Sequence, residues 1–189
     1  MKNIGLLFVH PMTSKGAYQK LSRDLSTREP PYSAAITANF IRSKGFNVKI
    51  LDANAMGYSP EMVVDAIKEY KPSLISIVVT GQQPSASTQM MPEIRELCNK
   101  IKDSCNHPIL LTGNHPSALP EKTLKEESVD FVGRGEAYDT HLALLQKEDF
   151  SKVPGLFYLE KGEVRFGVNE RVLHPDEINQ MLVTAAWDL

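Results

Sequence analysis

Cysteine is scarce in this sequence: among 189 residues only Cys98 and Cys105 carry a thiol. Two thiols cannot staple a small secreted scaffold. Their spacing matches neither a zinc pair nor the triplet that holds an iron–sulfur cluster. Both are expected as core or half-buried thiols, in or just after a helix, in a reducing compartment. Long apolar runs are missing too, and nothing approaches the ~20 residues that cross a bilayer. The opening MKNIGLLFVH is too short for a secretion signal, lacks a small-residue cleavage site and ends in His10-Pro11. It reads as a β-strand, and the protein as soluble and cytoplasmic, with no membrane partner. No charge of one sign dominates: 21 Lys and Arg stand against 23 Asp and Glu, a net −2, with the basic residues scattered. That balance argues against a nucleic-acid partner. Neither G-x-G-x-x-G, nor G-x-x-x-x-G-K-S/T, nor G-x-S-x-G occurs. The dinucleotide fingerprint, the P-loop and the hydrolase elbow are therefore absent.

What is present is a repeated alternation of strand and helix. The 42% of hydrophobic residues suffices for a sizeable core, and the length fits one domain with a small appendage. Ile4 to Val9 is an apolar run without alternation, as in a parallel strand covered on both faces. A polar loop from His10 to Pro31 follows, too long for a routine turn. The next helix is expected to be capped by Ser33, to bury Ile36, Phe40 and Ile41, and to end at Gly45. Strand two is Val48 to Asp52. Ser59-Pro60-Glu61 is a helix start, with Met62, Val63, Ala66, Ile67 and Tyr70 on one face.

After Pro72 comes strand three, Leu74 to Val79. The helix beyond it places Met90, Ile94, Leu97, Cys98 and Ile101 on one stripe, with Pro92 marking either its first turn or a kink. Strand four is Ile109 to Leu111, a short helix runs from Pro120 to Glu127, and strand five is Val129 to Val132. Glu136 to Gln146 is the last helix of the unit. Right-handed crossovers then demand an α/β, flavodoxin-like, Rossmann-type three-layer domain with a five-stranded parallel sheet over residues 1–150. Residues 151–189 read as a β-hairpin, Val153 to Tyr158 and Glu163 to Phe166 about Lys161-Gly162, then a linker or short helix. The chain stops at Trp187-Asp188-Leu189 without a capping signal and is expected to lead into a further domain.

In an open parallel sheet ligands bind beyond the carboxyl ends of the strands, where strand order reverses. The candidate binding residues are therefore Thr80, Gly81, Gln82 and Gln83 after strand three. After strand four come Thr112, Gly113, Asn114, His115 and Ser117, and after strand five Gly133, Arg134, Gly135 and Glu136. Glycine lets a ligand approach the backbone, while hydroxyls and amides supply neutral donors and acceptors. Such loops suit a large ligand rich in amides. They lack the ligand count of a protein-built metal site. His10 and His115 both follow strands and are placed to approach each other at the sheet's carboxyl edge. Neither has an evident nucleophile or carboxylate partner in sequence, and no catalytic set is assigned.

Three stretches carry a family likeness. The first is Pro30-Pro31-Tyr32, an Ala-rich helix and Gly45-Phe46-Asn47-Val48-Lys49-Ile50-Leu51-Asp52. The second is Thr112-Gly113-Asn114-His115-Pro116-Ser117-Ala118-Leu119-Pro120-Glu121. The third is Val129-Asp130-Phe131-Val132-Gly133-Arg134-Gly135-Glu136, then Val153-Pro154-Gly155-Leu156. In this order they resemble the N-terminal cobalamin-binding domain of B12-binding radical SAM enzymes, which include methyltransferases and ring-forming enzymes. Family members usually show G-G-x-H where this chain has Thr112-Gly113-Asn114-His115.

The resemblance implies a cobalamin-binding module, with the dimethylbenzimidazole tail between sheet and helices, lined by Gly113, His115, Gly135 and Glu136. Thr80 to Gln83 then lie beneath the corrin, with Gln82 or Gln83 nearest the cobalt. The D-x-H-x-x-G motif that supplies an axial histidine is absent: Phe8 and Thr13 stand where Asp and Gly belong around His10. Many radical SAM relatives also lack it, and a weak lower ligand favours methyl transfer. No C-x-x-x-C-x-x-C occurs, so S-adenosylmethionine and a 4Fe–4S cluster are expected only in a missing C-terminal radical SAM domain, the partner this module serves. The alternative is a stand-alone flavodoxin-like domain holding flavin or a nucleotide through helix N-termini and Lys15. A scaffold that has lost its ligand is the third reading.

Overall fold

The apolar runs form strands because both of their faces are covered. In the computed structural model, which describes residues 4–12, 29–81, 84–182 and 185–189, β1 (Leu6–His10) sends Leu7 and Val9 to one side of the sheet and Leu6 and Phe8 to the other. On the first side Val63, Val64 and Ile67 of α3 (Pro60–Tyr70) and Ile94, Leu97, Cys98 and Ile101 of α5 (Met91–Ser104) complete a core with Ile75, Ile77, Ile109 and Leu111. On the second side α1 (Tyr32–Ser43) presents Ala34, Ala38 and Ile41, and α8 (Tyr138–Gln146) presents Leu142, Leu144 and Leu145. With an apolar layer on each side, period-two alternation has no polar phase, which is why the strands read as unbroken apolar runs.

The remaining strands are β2 (Val48–Asp52), β3 (Leu74–Val79), β4 (Ile109–Gly113), β5 (Phe131–Gly133), β6 (Leu156–Glu160) and β7 (Glu163–Phe166), and they make one sheet in the order β2-β1-β3-β4-β5-β6-β7. The first five are parallel, as expected for this α/β fold. The hairpin does not stand apart from them: β6 pairs antiparallel with β5, matching Val132 to Phe157, and β7 becomes the edge. Lys161 and Gly162 take positive φ, 53° and 82°, as a tight hairpin turn requires.

Several local expectations change. Helix α1 begins at Tyr32 behind Pro31, so Ser33 lies inside the first turn, and its carbonyl accepts the Thr37 hydroxyl at 2.9 Å. Pro92 stands in the first turn of α5, where its missing N–H has no partner to lose. A separate short α4 (Pro84–Gln89) precedes it. Helix α8 starts at Tyr138 and not at Glu136, because Ala137 takes the left-handed conformation at φ 57°. Strand five ends at Gly133, and the stretch after β4 coils into α6 (Asn114–Ala118) before α7 (Pro120–Glu126). Two further short elements are α2 (Ala53–Met56) and α9 (Pro175–Leu182). Cys98 is buried with its thiol pushed up to about 12 by burial, while Cys105 is half-buried.

Candidate site at the carboxyl ends of the strands

Strand order reverses between β1 and β3, and the loops after β3, β4 and β5 converge beside that point. An open cavity of about 490 Å³ lies there, between the sheet and the two helices α1 and α8. Ser33 and Thr37 of α1 form one wall. Val78, Thr80, Thr112, Gly113, Asn114 and Ser117 form the strand-end side, and Gly135, Glu136 and His141 complete it. Seven of the residues expected from sequence thus meet in one cavity: Thr80, Thr112, Gly113, Asn114, Ser117, Gly135 and Glu136. A larger, mostly apolar cavity of about 670 Å³ opens at the opposite edge, beside Phe46, Leu74, Leu145 and Phe150. None of the strand-end loops reaches it.

The glycines shape this edge for backbone reasons. Gly113 has φ +109°, and a Cβ there would lie 2.2 Å from the Val79 carbonyl oxygen. The room it makes is therefore taken by β3. Only glycine allows β4 to leave the sheet at that angle and enter α6. Thr112, where the resemblance implies a glycine, is accommodated by Gly133: its Cγ2 lies 3.1 Å from where a Gly133 Cβ would stand. Gly133 itself is buried in β5 and is not on the cavity wall. Gly81 faces the backbone of α4, where a Cβ would approach Ser87 N to 2.7 Å. Gly135 donates its N–H to Ser117 Oγ at 3.0 Å, tying the loop after β5 to α6.

Two expected residues turn elsewhere. Arg134 points away from the cavity: Nε and Nη2 donate to the Glu170 carboxylate at 2.8–3.0 Å, and the guanidinium lies 4.7 Å from the Phe166 ring centre. His115 faces α4, with Nδ1 3.0 Å from Thr88 Oγ1, and burial lowers its pKa. It does not meet His10. His10 Nδ1 pairs instead with Asp52 Oδ1 at 2.9 Å, a carboxylate brought from the adjacent strand end that also caps α2 through Ala55 N. Gln82 and Gln83 lie outside the described residues, as do Thr13 and Lys15.

Sequence reasoning missed Ser33, Thr37, Val78 and above all His141. That imidazole is fully buried, packs 5.2 Å from the Phe8 ring and has its pKa lowered to about 4 by burial. Its Nδ1–H donates to the Ala137 carbonyl at 2.6 Å, which leaves Nε2 to accept the Ser76 hydroxyl at 2.8 Å. A signal existed: Ser76 interrupts an otherwise apolar strand, and a polar residue there needs a buried partner. Tyr138, next to the mouth, is pushed up to about 12 by burial and then by Glu136. The cavity thus offers hydroxyls, one amide, the Glu136 carboxylate and backbone groups around a neutral floor. Such a lining can hold and orient a large polar ligand.

Comparison with known proteins identifies the family and the fold. The profile of the family described as B12 binding domain matches residues 21–145. The fold is similar to that of the radical S-adenosylmethionine methyltransferase TsrM from Kitasatospora setae, solved with cobalamin and a 4Fe–4S cluster bound. That likeness has a TM-score of 0.69 and 17% identity, over 91% of this chain and 30% of that one. The cobalamin-dependent S-adenosylmethionine radical enzyme OxsB, solved with aqua-cobalamin and S-adenosylmethionine, gives 0.64 and 17% over 90% of this chain and 23% of that one. The chain therefore spans less than a third of either structure. A search of curated protein sequences returns no match.

Proposed function

Because the chain belongs to the B12-binding domain family, we propose that it holds cobalamin for a larger B12-dependent radical SAM enzyme, a methyltransferase in the reading that resemblance favours. The observation that carries this is the cavity between the sheet and α1 and α8, with a mouth of Ser33, Thr80, Asn114, Ser117 and Glu136. The cavity would take the nucleotide tail, and the loops after β3, β4 and β5 would hold the corrin. Its acetamide and propionamide arms need donors and acceptors, which Ser33, Thr80, Asn114 and Ser117 present as neutral groups and Glu136 as a carboxylate. A bound cobalt corrin would supply a methyl group or one electron.

The chain's own residues have a positioning task. Thr80, Asn114, Ser117 and Glu136 would bind and orient the ring, and α1 and α8 would exclude water from the tail. S-adenosylmethionine and the 4Fe–4S cluster belong to the radical SAM domain that this module serves.

The test is a visible spectrum after the chain is mixed with hydroxocobalamin, reduced to the cob(II) state and desalted. A retained corrinoid with a base-off spectrum is expected. The exposed Ser33→Trp variant, which crowds the mouth from α1, should retain at least tenfold less while its melting temperature is unchanged. Retention with a base-on spectrum would keep cobalamin binding and overturn the tail placement. Loss of the corrinoid on desalting overturns the reading.

A further inference from the structure

Three polar residues of the cavity lining are buried: Thr37 at 5% exposure, Thr112 at 4% and His141 at 1%. Two of them have their protons engaged. Thr37 donates to the Ser33 carbonyl. His141 donates from Nδ1 to the Ala137 carbonyl, and its Nε2 is taken by Ser76, which does not line the cavity. Thr112 differs. β4 sends Leu110 into the layer beneath α1 and α8, and Thr112, two positions on, faces the same side beside Val78. Its methyl lies toward Gly133 of β5. Its hydroxyl has no hydrogen-bond partner among the described residues. The side-chain polar atoms that those residues seal off without a partner belong to Glu93 and Thr123. Thr112 Oγ1 is not sealed off, so the open space it meets is the cavity that Thr112 lines. An incoming donor therefore finds lone pairs on Thr37 and on Thr112. For an incoming acceptor these three residues hold one uncommitted proton, and it sits on Thr112.

We propose that Thr112 donates a hydrogen bond to the unprotonated ring nitrogen of a benzimidazole-type tail base, and so favours that tail over one ending in a phenol. The proposal rests on the reading that the nucleotide tail occupies this cavity. A benzimidazole that has left the cobalt presents one in-plane lone pair, and burying that lone pair without a donor weakens binding. A phenol-ended tail has no such nitrogen and loses nothing when the donor is absent. The glycine that the resemblance implies at this position has no side chain to offer, so the preference belongs to this chain's own threonine.

The experiment titrates the 189-residue chain and two variants, Thr112→Val and Thr112→Ser, with two cob(II) corrinoids, cobalamin and its analogue ending in cresol. Affinity is read from absorbance and from retention on desalting. Each corrinoid is compared across the variants, so the cost of freeing its own base from cobalt cancels. Thr112→Val keeps the shape and removes the proton. It should bind cobalamin roughly ten- to fiftyfold more weakly and the cresol form within about twofold of the native chain. Thr112→Ser keeps the proton and should hold cobalamin within about threefold. The hydroxyl has no internal bond to lose, so both variants should melt like the native chain. Equal weakening of both corrinoids by Thr112→Val, or of neither, overturns the proposal. Cobinamide, which has no nucleotide tail, separates this from the reading beneath it. It should bind the native chain at least tenfold more weakly than the cresol form, and equal binding of those two would overturn the tail placement itself.

Discussion

His141 shows how much one side chain contributes when the fold closes around it. Its pKa falls from the usual 6.5 to about 4 because burial penalises the charged ring. The sign follows directly. Above pH 6.5 the imidazole is neutral whether the chain is folded or not, and the fold keeps its full stability. As pH falls from 6.5 toward 4 the unfolded chain takes up the proton first, so stability is lost across that window. Between pH 7 and 5 the loss is about 2 kcal/mol from this group. Urea unfolding at the two pH values should show it, and the His141→Phe variant should show a flatter dependence. Equal dependence in both would mean that the ring is not held neutral. Little of this was legible in sequence, since a histidine in a helix carries no mark of what covers it. Gly113 does line the cavity, but the reason for a glycine there was not legible: the carbonyl of Val79, 34 positions earlier, is what excludes a side chain.

Among the elements, Arg134 is one of the ties between the loop after β5 and the segment after β7. Arg134, just past β5, donates to Glu170 and Asn169 and stacks on Phe166, while Gly155 accepts its backbone N–H at 2.8 Å. Its hydrogen bonds lower the Glu170 pKa. Both partners are partly exposed, so the ion pair is screened, and together with the stacking it contributes about 1 kcal/mol. Arg134→Ala should lower the melting temperature by roughly 2–4 °C and speed tryptic cleavage at Arg171. Arg134→Lys should not restore resistance, because an ammonium cannot bond two carboxylate oxygens in one plane while stacked on a ring. Unchanged proteolysis in Arg134→Ala would show that the segment is held by other contacts. Element types were readable where pattern and punctuation agreed: Ser59-Pro60-Glu61 does start α3, with Ser59 Oγ accepting Met62 N. Where a helix forms only because a strand exit directs it, as in α6 behind Gly113, local sequence was no guide.

At the scale of the whole molecule the hairpin completes the sheet. β6 covers the edge of β5, Val153 and Leu156 are fully buried, and Phe150 lies 5.1 Å from Phe131 and 5.3 Å from Tyr158, ring centre to ring centre. A chain ending at Lys152 leaves β5 unpaired with that apolar surface open, and unpaired apolar edges associate. It should aggregate on expression, as light scattering would show. A monomeric product that melts like the full chain would mean that the hairpin is dispensable. At the far end Ala186 is buried, donating its N–H to the Ala35 carbonyl of α1 at 3.1 Å, beside the exposed Tyr32 and Trp187 rings. The alanines of α1 are what let that segment lie so close.

The sequence by itself determined the class of the fold, the five parallel strands and the edge at which the loops after the strands gather. Apolar runs, helix stripes and Gly or Pro punctuation act over a few residues, and right-handed crossovers then leave few ways to assemble them. Tertiary structure alone decided which of the loop residues share a cavity. It turned Arg134 and His115 away, gave His10 its partner in Asp52, and set His141 under Ser33 and Thr37. Those outcomes depend on contacts between residues tens of positions apart, whose side-chain directions follow from packing and not from any local pattern.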